Sequence, residues 1–258
     1  MQRRKFFHTA ALSAAALPLS AQKRPHFQDS SNEYYEWRVY YLSGGGSRGG
    51  FMDFLEKAYI PALKKHGAVK VGVFEEISNP EPPVIYVLIA YPSLADFGDM
   101  PGRILADAAF KSASETYDAI PSEGKLYSRF DTWLLRAFDA IPSMELPAGD
   151  HELFELRTYE SYSDDKARRK VEMFNNGEIP IFRDTGLHPV FFGSMVAGPD
   201  MPGLTYMISF RDMQAREENW SKFISHPDWR ALSGDAYYAN TVSKINRRFL
   251  KKLPVSEV

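Results

Sequence analysis

Polar and apolar positions alternate through ELFELRTYES, residues 152–161. That period predicts a strand with Phe154, Leu156 and Thr158 on one face and Glu155, Arg157 and Tyr159 on the other. The period then lengthens. Ser163 followed by Asp164 and Asp165 has the form of a helix N-cap with acidic groups in the first turn, and the helix runs to about Asp184 and stops at Gly186. Apolar runs over 189–197 and 204–210, separated by a Pro199–Gly203 turn, predict two more strands. A polar, tryptophan-bearing stretch from about Met213 to Tyr237 reads as helical, and 241–251 as a last strand. The earlier part of the chain reads alike: a strand from Tyr34, a helix over 50–66, strands over 69–77 and 84–91, helices within 93–118 and a strand over 129–138.

The likeness extends to individual residues. Arg157 and Arg38 differ by 157 − 38 = 119 positions, and at that offset Glu36 and Tyr40 fall on Glu155 and Tyr159. Ile60-Pro61 falls on Ile179-Pro180, Gly67 on Gly186 and Phe110 on Trp229; with one inserted residue, Tyr86 falls on Tyr206. This is a duplication, with halves at 34–138 and 151–254 joined by a Pro- and Gly-containing linker at 139–150. The order βαββαβ is the ferredoxin-like unit. Its antiparallel sheet carries helices on one face and leaves the other bare, and a bare, partly apolar face needs a partner. The predicted fold class is therefore α+β: two tandem ferredoxin-like halves closing face to face into a fused dimeric α/β barrel.

FELRTYE at the start of the second half, Glu178-Ile-Pro near the end of its first helix and His226-Pro-Asp-Trp229 in its late helix together resemble the NIPSNAP family. The resemblance is clearest over 152–252 and fainter over 34–138, where Asp107-Ala-Ala-Phe110 stands in place of His-Pro-Asp-Trp. It implies the dimeric α/β-barrel fold more firmly than any activity. The wider superfamily, by resemblance, includes cofactor-independent oxygenases and haem-handling enzymes.

Composition narrows the classes of function. Hydrophobic residues at 44% and aromatics at 14% are enough for a filled core, and a net charge of −2 gives no reason to expect nucleic acid as partner. The absence of cysteine excludes disulfides, thiolate metal sites and cysteine nucleophiles. At the N-terminus, Arg3-Arg4 precedes Phe6-Phe7 and a small apolar run from Thr9 to Leu19 that is too short to span a membrane. Residues 1–21 read as a signal peptide of twin-arginine type and 22–33 as a disordered lead-in, so the expected location is periplasmic or secreted, with no membrane span left after cleavage.

Candidate chemistry sits on the repeated strands. Arg38 and Arg157 can hold a carboxylate or phosphate, with Tyr40 and Tyr159 beside them, if these side chains point into the barrel. The competing reading is a Glu–Arg pair that ties neighbouring strands together without a ligand. His188, opening a central strand, is a further candidate as base or ligand; no histidine pair has metal-ligand spacing, so no metal and no cofactor are expected. His226 before Pro227 reads as a cap at a helix break. The glycine run at 44–49 satisfies a dinucleotide fingerprint formally, but the chain does not continue as parallel βαβ units. Lys166, Arg168, Arg169 and Lys170 read as a solvated basic helix face. Two classes of function stay open: a small-molecule site, enzymatic or binding, or an interaction protein using the helix around Trp220 and Trp229. Self-association into a homo-oligomer fits either.

Overall fold

The computed structural model describes residues 32–44 and 46–258. The expected signal peptide lies outside the described residues. So does most of the lead-in, but its last two residues are ordered: Asn32 is buried and donates to the Ala137 carbonyl at 3.1 Å, and a Glu33 carboxylate oxygen accepts from the Met144 amide at 2.7 Å.

Eight strands form a closed barrel. In the first half they are β1 (Tyr34–Leu42), β2 (Lys70–Glu76), β3 (Val84–Tyr91) and β4 (Tyr127–Ala137); in the second, β5 (Leu153–Glu160), β6 (His188–Ala197), β7 (Gly203–Phe210) and β8 (Lys244–Lys252). The order around the barrel is β1-β3-β2-β8-β5-β7-β6-β4, with every pairing antiparallel. Each half is thus a four-stranded ferredoxin-like sheet, and the halves meet where β2 pairs with β8 and β4 with β6. The seam is close: a Cβ on Gly193 would lie 2.7 Å from Leu135 Cβ. The expected α+β class and fused barrel are what the chain forms.

Helices cover the outer face of each sheet. The first half has α1 (Ser47–Phe54), α2 (Ile60–Lys65), α3 (Leu94–Ala106) and α4 (Ala108–Asp118); the second has α5 (Asp164–Met173), α6 (Ile179–Asp184), α7 (Met213–Ser225) and α8 (Pro227–Ser233). Between α1 and α2, and again between α5 and α6, the helix widens into a π turn, at Leu55–Tyr59 and Phe174–Glu178. Pro61 and Pro180 follow directly. A proline offers no amide to the carbonyl four residues back, and the wider turn accommodates that loss without breaking the helix. Breaks between later helices are capped: Asp107 accepts from the Ala109 amide at 2.9 Å, and His226 Nδ1 from the Asp228 amide at 3.3 Å.

The barrel is packed solid. Tyr35, Trp37 and Val39 from β1 and their counterparts on the opposite sheet, Phe154 and Leu156 of β5, point inward with Phe74, Tyr86, Phe191 and Met207. Trp37 stacks on Tyr86 at 5.4 Å between ring centres, and Phe74 meets Phe154 edge-on at 5.1 Å. Full burial of such side chains contributes roughly 1.5–3 kcal/mol each. Two further cores lie between sheet and helices, one in each half.

One reading of the repeat needs correction. Arg38 pairs with Val87, and Arg157 with Tyr206, so the structural counterpart of Tyr206 is Val87. Tyr86 faces into the barrel, whereas Tyr206 faces the helices. The linker packs against the second half. Ile141 is buried, the Glu145 amide donates to the Val190 carbonyl at 2.8 Å, and Arg183 pairs with the Glu145 carboxylate at 2.5 Å.

A sheet–helix cavity as candidate functional site

With Phe154 and Leu156 taking the barrel interior, strand alternation sends Glu155, Arg157 and Tyr159 outward, beneath the helices. Glu36, Arg38 and Tyr40 do the same in the first half. A site built on these strands therefore lies between sheet and helices, outside the barrel lumen.

In the second half that layer holds a cavity of about 490 Å3. Arg157 and Tyr159 from β5, with Arg247 and Ile245 of β8 opposite them, form its floor. Lys170 of α5 and Glu178 of the π turn close one side; Arg216, Trp220, Phe223 and Ile224 of α7 and Trp229 of α8 form the other. The arginine is held from several directions. Its Nε donates to Glu155 at 2.7 Å and its Nη1 to the Tyr159 hydroxyl at 3.1 Å, while its guanidinium lies 4.0 Å from the Trp220 ring centre. The fully buried Glu155 also accepts from Arg216 at 2.9 and 3.2 Å and from the Trp220 indole at 2.9 Å. With α7 supplying these donors, Arg157 Nη2 has no hydrogen bond among the described residues.

Charges in this site are set by burial and by one another. Burial works to raise the Glu155 carboxyl, but hydrogen bonds from Arg216 and the charge of Arg157 outweigh it and hold the group below its ordinary range. Burial alone would make the Arg157 guanidinium less basic, yet Tyr206, Tyr159 and Glu155 around it raise it further. The Tyr206 hydroxyl, 2.9 Å from that of Tyr159, is pushed well up by complete burial. Lys170 Nζ donates to Glu178 at 2.6 Å, both side chains being nearly inaccessible, and burial raises the Glu178 carboxyl against the opposing charge of Lys170.

The matching layer of the first half is filled. At an offset of 119 residues, Phe51 stands where Lys170 does and Tyr59 where Glu178 does. Arg38 lies 5.5 Å from the Tyr59 ring centre and 5.2 Å from that of Phe130, and Tyr40 packs against Phe51, Tyr127 and Phe130 at 4.7–5.1 Å. Both arms of Arg38 bind Glu36, at 2.6 and 3.1 Å, and Glu36 also accepts from Tyr91 and Thr132. Of the residues singled out from the sequence, Arg157 and Tyr159 meet at the cavity, and Arg38 and Tyr40 sit in this closed layer.

His188 lies elsewhere, exposed at the start of β6, with its ring 4.7 Å from that of His151. Trp220 and Trp229 are half-buried cavity walls and not an outward-facing contact surface. Lys170, read from the sequence as part of a solvated basic face, is buried. In a regular helix Lys170 and Glu178 would stand about 80° apart; the wider π turn brings them together. Lys170, Glu178, Tyr206, Arg216 and Arg247 were not anticipated as site residues. The repeat held a usable sign in the charged Lys170/Glu178 pair opposite the aromatic Phe51/Tyr59 pair. A surface cleft of about 480 Å3 near Leu253 and one of about 550 Å3 near Asn175 have no buried charged residue among the described residues of their walls.

Comparison with known proteins places this architecture. A protein described as a "putative monooxygenase" from Lactobacillus acidophilus NCFM superimposes with a TM-score of 0.58 at 11% identity, over 86% of this chain and 94% of that one. An anthrone oxidase-like protein gives 0.51 at 9% identity, over 87% and 93%. An uncharacterized NIPSNAP-like domain protein from Burkholderia xenovorans matches 42% of this chain and 91% of its own, at 15% identity and a TM-score of 0.38. At such identities the likeness shows the fold alone. The sequence matches no curated protein. The NIPSNAP family model matches residues 154–257, the half that carries the cavity. This part of the chain is similar to the NIPSNAP family, and with the half before it forms a fused dimeric α/β barrel.

Proposed function

We propose that the second half binds a small, mainly apolar molecule carrying an anionic group, in the cavity beside Arg157. The observation that carries this reading is the difference between the halves: the same layer is packed with aromatics around Arg38 and open around Arg157. The cavity volume lies within the range of small-molecule sites, about 300–1,000 Å3. Its walls supply Trp220, Phe223, Trp229 and Ile245 for apolar contact, and its lining has four cations, Arg157, Lys170, Arg216 and Arg247, against the single carboxylate of Glu178. Arg247 is exposed and makes a ring contact to Phe249 but no ion pair among the described residues. Together with the unused Nη2 of Arg157, it offers charge to a ligand carboxylate, sulfonate or enolate.

A haem role does not fit these residues. The lining contains no histidine, cysteine or methionine, and the Tyr159 hydroxyl is engaged by Arg157 and Tyr206. The paired arginines near the N-terminus support a protein that does this work outside the cytoplasm, which fractionation of the native host tests directly.

Binding is tested by titration calorimetry with 2-naphthoate and its neutral analogue 2-naphthylmethanol. The anion is expected to bind about ten- to hundredfold more tightly, the worth of a charge-assisted hydrogen bond. Arg157→Gln should abolish that preference and Arg38→Gln should preserve it. Equal preference in both variants would place the site elsewhere.

A further inference from the structure

The duplication supplies an internal control for what the fold itself requires. The first half builds the same sheet, π turn and helix layer with Phe51, Tyr59 and Val87 at the places of Lys170, Glu178 and Tyr206. Folding therefore does not call for an ion pair there. A buried pair is a poor source of stability, because desolvation offsets much of the attraction. Its presence in one half only, at the side of the cavity lined by Arg157, needs another explanation.

The pair has the geometry of a poised base. Glu178 Oε2 is tied to Lys170 Nζ, while Oε1 accepts no hydrogen bond from the described residues. Glu178 and Arg157 share the cavity wall, with the Arg157 Nη2 likewise unused. Lys170 is itself fixed, 3.3 Å from Met173 Sδ and 4.5 Å from the Phe174 ring centre, so its contact holds the carboxyl in one orientation. Burial in an apolar wall raises the basicity of Glu178, the direction a proton acceptor needs near neutral pH.

We propose that Glu178 is a general base that removes an acidic C–H proton from a bound aromatic ketone, with Arg157 holding the enolate oxygen and Lys170 as positioning residue. This rests on the cavity's being a small-molecule site, the anionic group now being one that develops on the ligand. The C–H bond breaks, its electron pair passes into the enolate, and the proton goes to Glu178 Oε1. The negative oxygen accepts from Arg157 Nη2, a donor already in place before charge develops. In the reverse step Glu178 returns a hydron to the same carbon, so no oxidant or other co-reactant takes part.

The test uses 2-tetralone and the whole protein in deuterated buffer. Loss of its α-proton signals is followed by NMR, and binding is followed separately by calorimetry. The wild-type protein is expected to exchange these protons at least tenfold faster than buffer, with 2-naphthoate inhibiting. Glu178→Gln should bind 2-tetralone as well as wild type and fall to the buffer rate; Glu178→Asp, which keeps the charge one carbon shorter, should keep part of the rate if Gln fails to fold. Lys170→Met should move the acid limb of the exchange–pH profile upward, because the carboxyl loses its neighbouring ammonium; a merely structural role for Lys170 would lower the rate and leave the limb where it is. Wild-type exchange no faster than buffer despite binding, or undiminished exchange in Glu178→Gln, would overturn proton transfer and leave the binding site standing. Failure of both 2-tetralone and 2-naphthoate to bind would remove the site and this chemistry together.

Discussion

The two halves share one fold and differ in what lies between sheet and helices. In the first, Glu36 takes both arms of Arg38 and receives Tyr91 and Thr132 as well, and Phe51, Tyr59, Tyr127 and Phe130 fill the remaining space. In the second, Arg216 and Trp220 of α7 bind Glu155 in place of the second arm of Arg157, and Lys170 and Glu178 stand where Phe51 and Tyr59 do. The Glu–Arg–Tyr strand is thus a structural device in both halves, satisfying a buried carboxylate under the helices. Only in the second does its arginine keep a nitrogen with no hydrogen bond among the described residues, in a residue that lines a cavity. A duplicated fold can hold its shape with one copy and vary the other.

Exchange of the two layers should give the largest effect. Lys170→Phe alone leaves Glu178 buried without its partner and should cost about 3 kcal/mol at neutral pH, as breaking buried pairs does. Adding Glu178→Tyr, which completes the first half's pairing, should restore stability to within about 1 kcal/mol of wild type or above it. Urea unfolding of the single and double variants decides the matter; a double variant as weak as the single would show that the halves are not interchangeable at this layer.

A smaller difference is expected at the two helix-end glycines. Gly67 and Gly186 both have positive φ, +105° and +79°, where any other residue is strained by about 1–2 kcal/mol. At Gly67 an added Cβ meets nothing, whereas at Gly186 it would lie 2.8 Å from Asn219 Nδ2, which donates to the Gly186 carbonyl at 2.9 Å. Alanine should therefore cost about 1 kcal/mol at position 67 and up to about 3 kcal/mol at position 186. Equal losses in thermal unfolding would mean that Asn219 yields freely.

The smallest effect is pH-dependent and confined to the second half. His151 is buried, with Nδ1 2.9 Å from Ser209 Oγ, and burial followed by the charge of His188 lowers its basicity. It is neutral in both folded and unfolded chains above its ordinary value of about 6.5. Below that the unfolded chain binds the proton first, so stability falls as pH drops through the lowered folded value. At the same offset the first half has Asn32, which does not titrate. Hydrogen exchange at pH 5 should therefore loosen β5–β7 before β1–β3, and His188→Gln should narrow the gap. Simultaneous loosening of both sheets would assign the acid response to other groups.

The halves, their element order and their closure into a barrel were legible because each rests on local periodicity and on a repeat that the chain displays openly. Ser163, Gly186, Pro61 and Pro180 mark boundaries through backbone chemistry that a sequence carries directly. The pairing of Tyr86 with Tyr206 misled because matching letters say nothing of register: β6 takes up an extra residue in a bulge between Pro189 and Phe191, and β3 and β7 keep an unchanged offset. Lys170 misled for a related reason, since its neighbours Arg168 and Lys166 are on the surface and only the π turn rotates Glu178 beneath it.

Alternation along β1 and β5 determined that Glu, Arg and Tyr share a face, and duplication determined that two such faces exist. Neither could decide which face closes the barrel. That follows from packing: Trp37, Phe154 and their neighbours fill the lumen more completely than charged residues could, so the polar faces turn outward to the helices. Whether a cavity then remains depends on side chains brought from α1, α5, α7 and the π turns, far apart in sequence. Aromatics meet over Arg38 and close it; Lys170, Glu178 and Arg216 meet around Arg157 and leave it open.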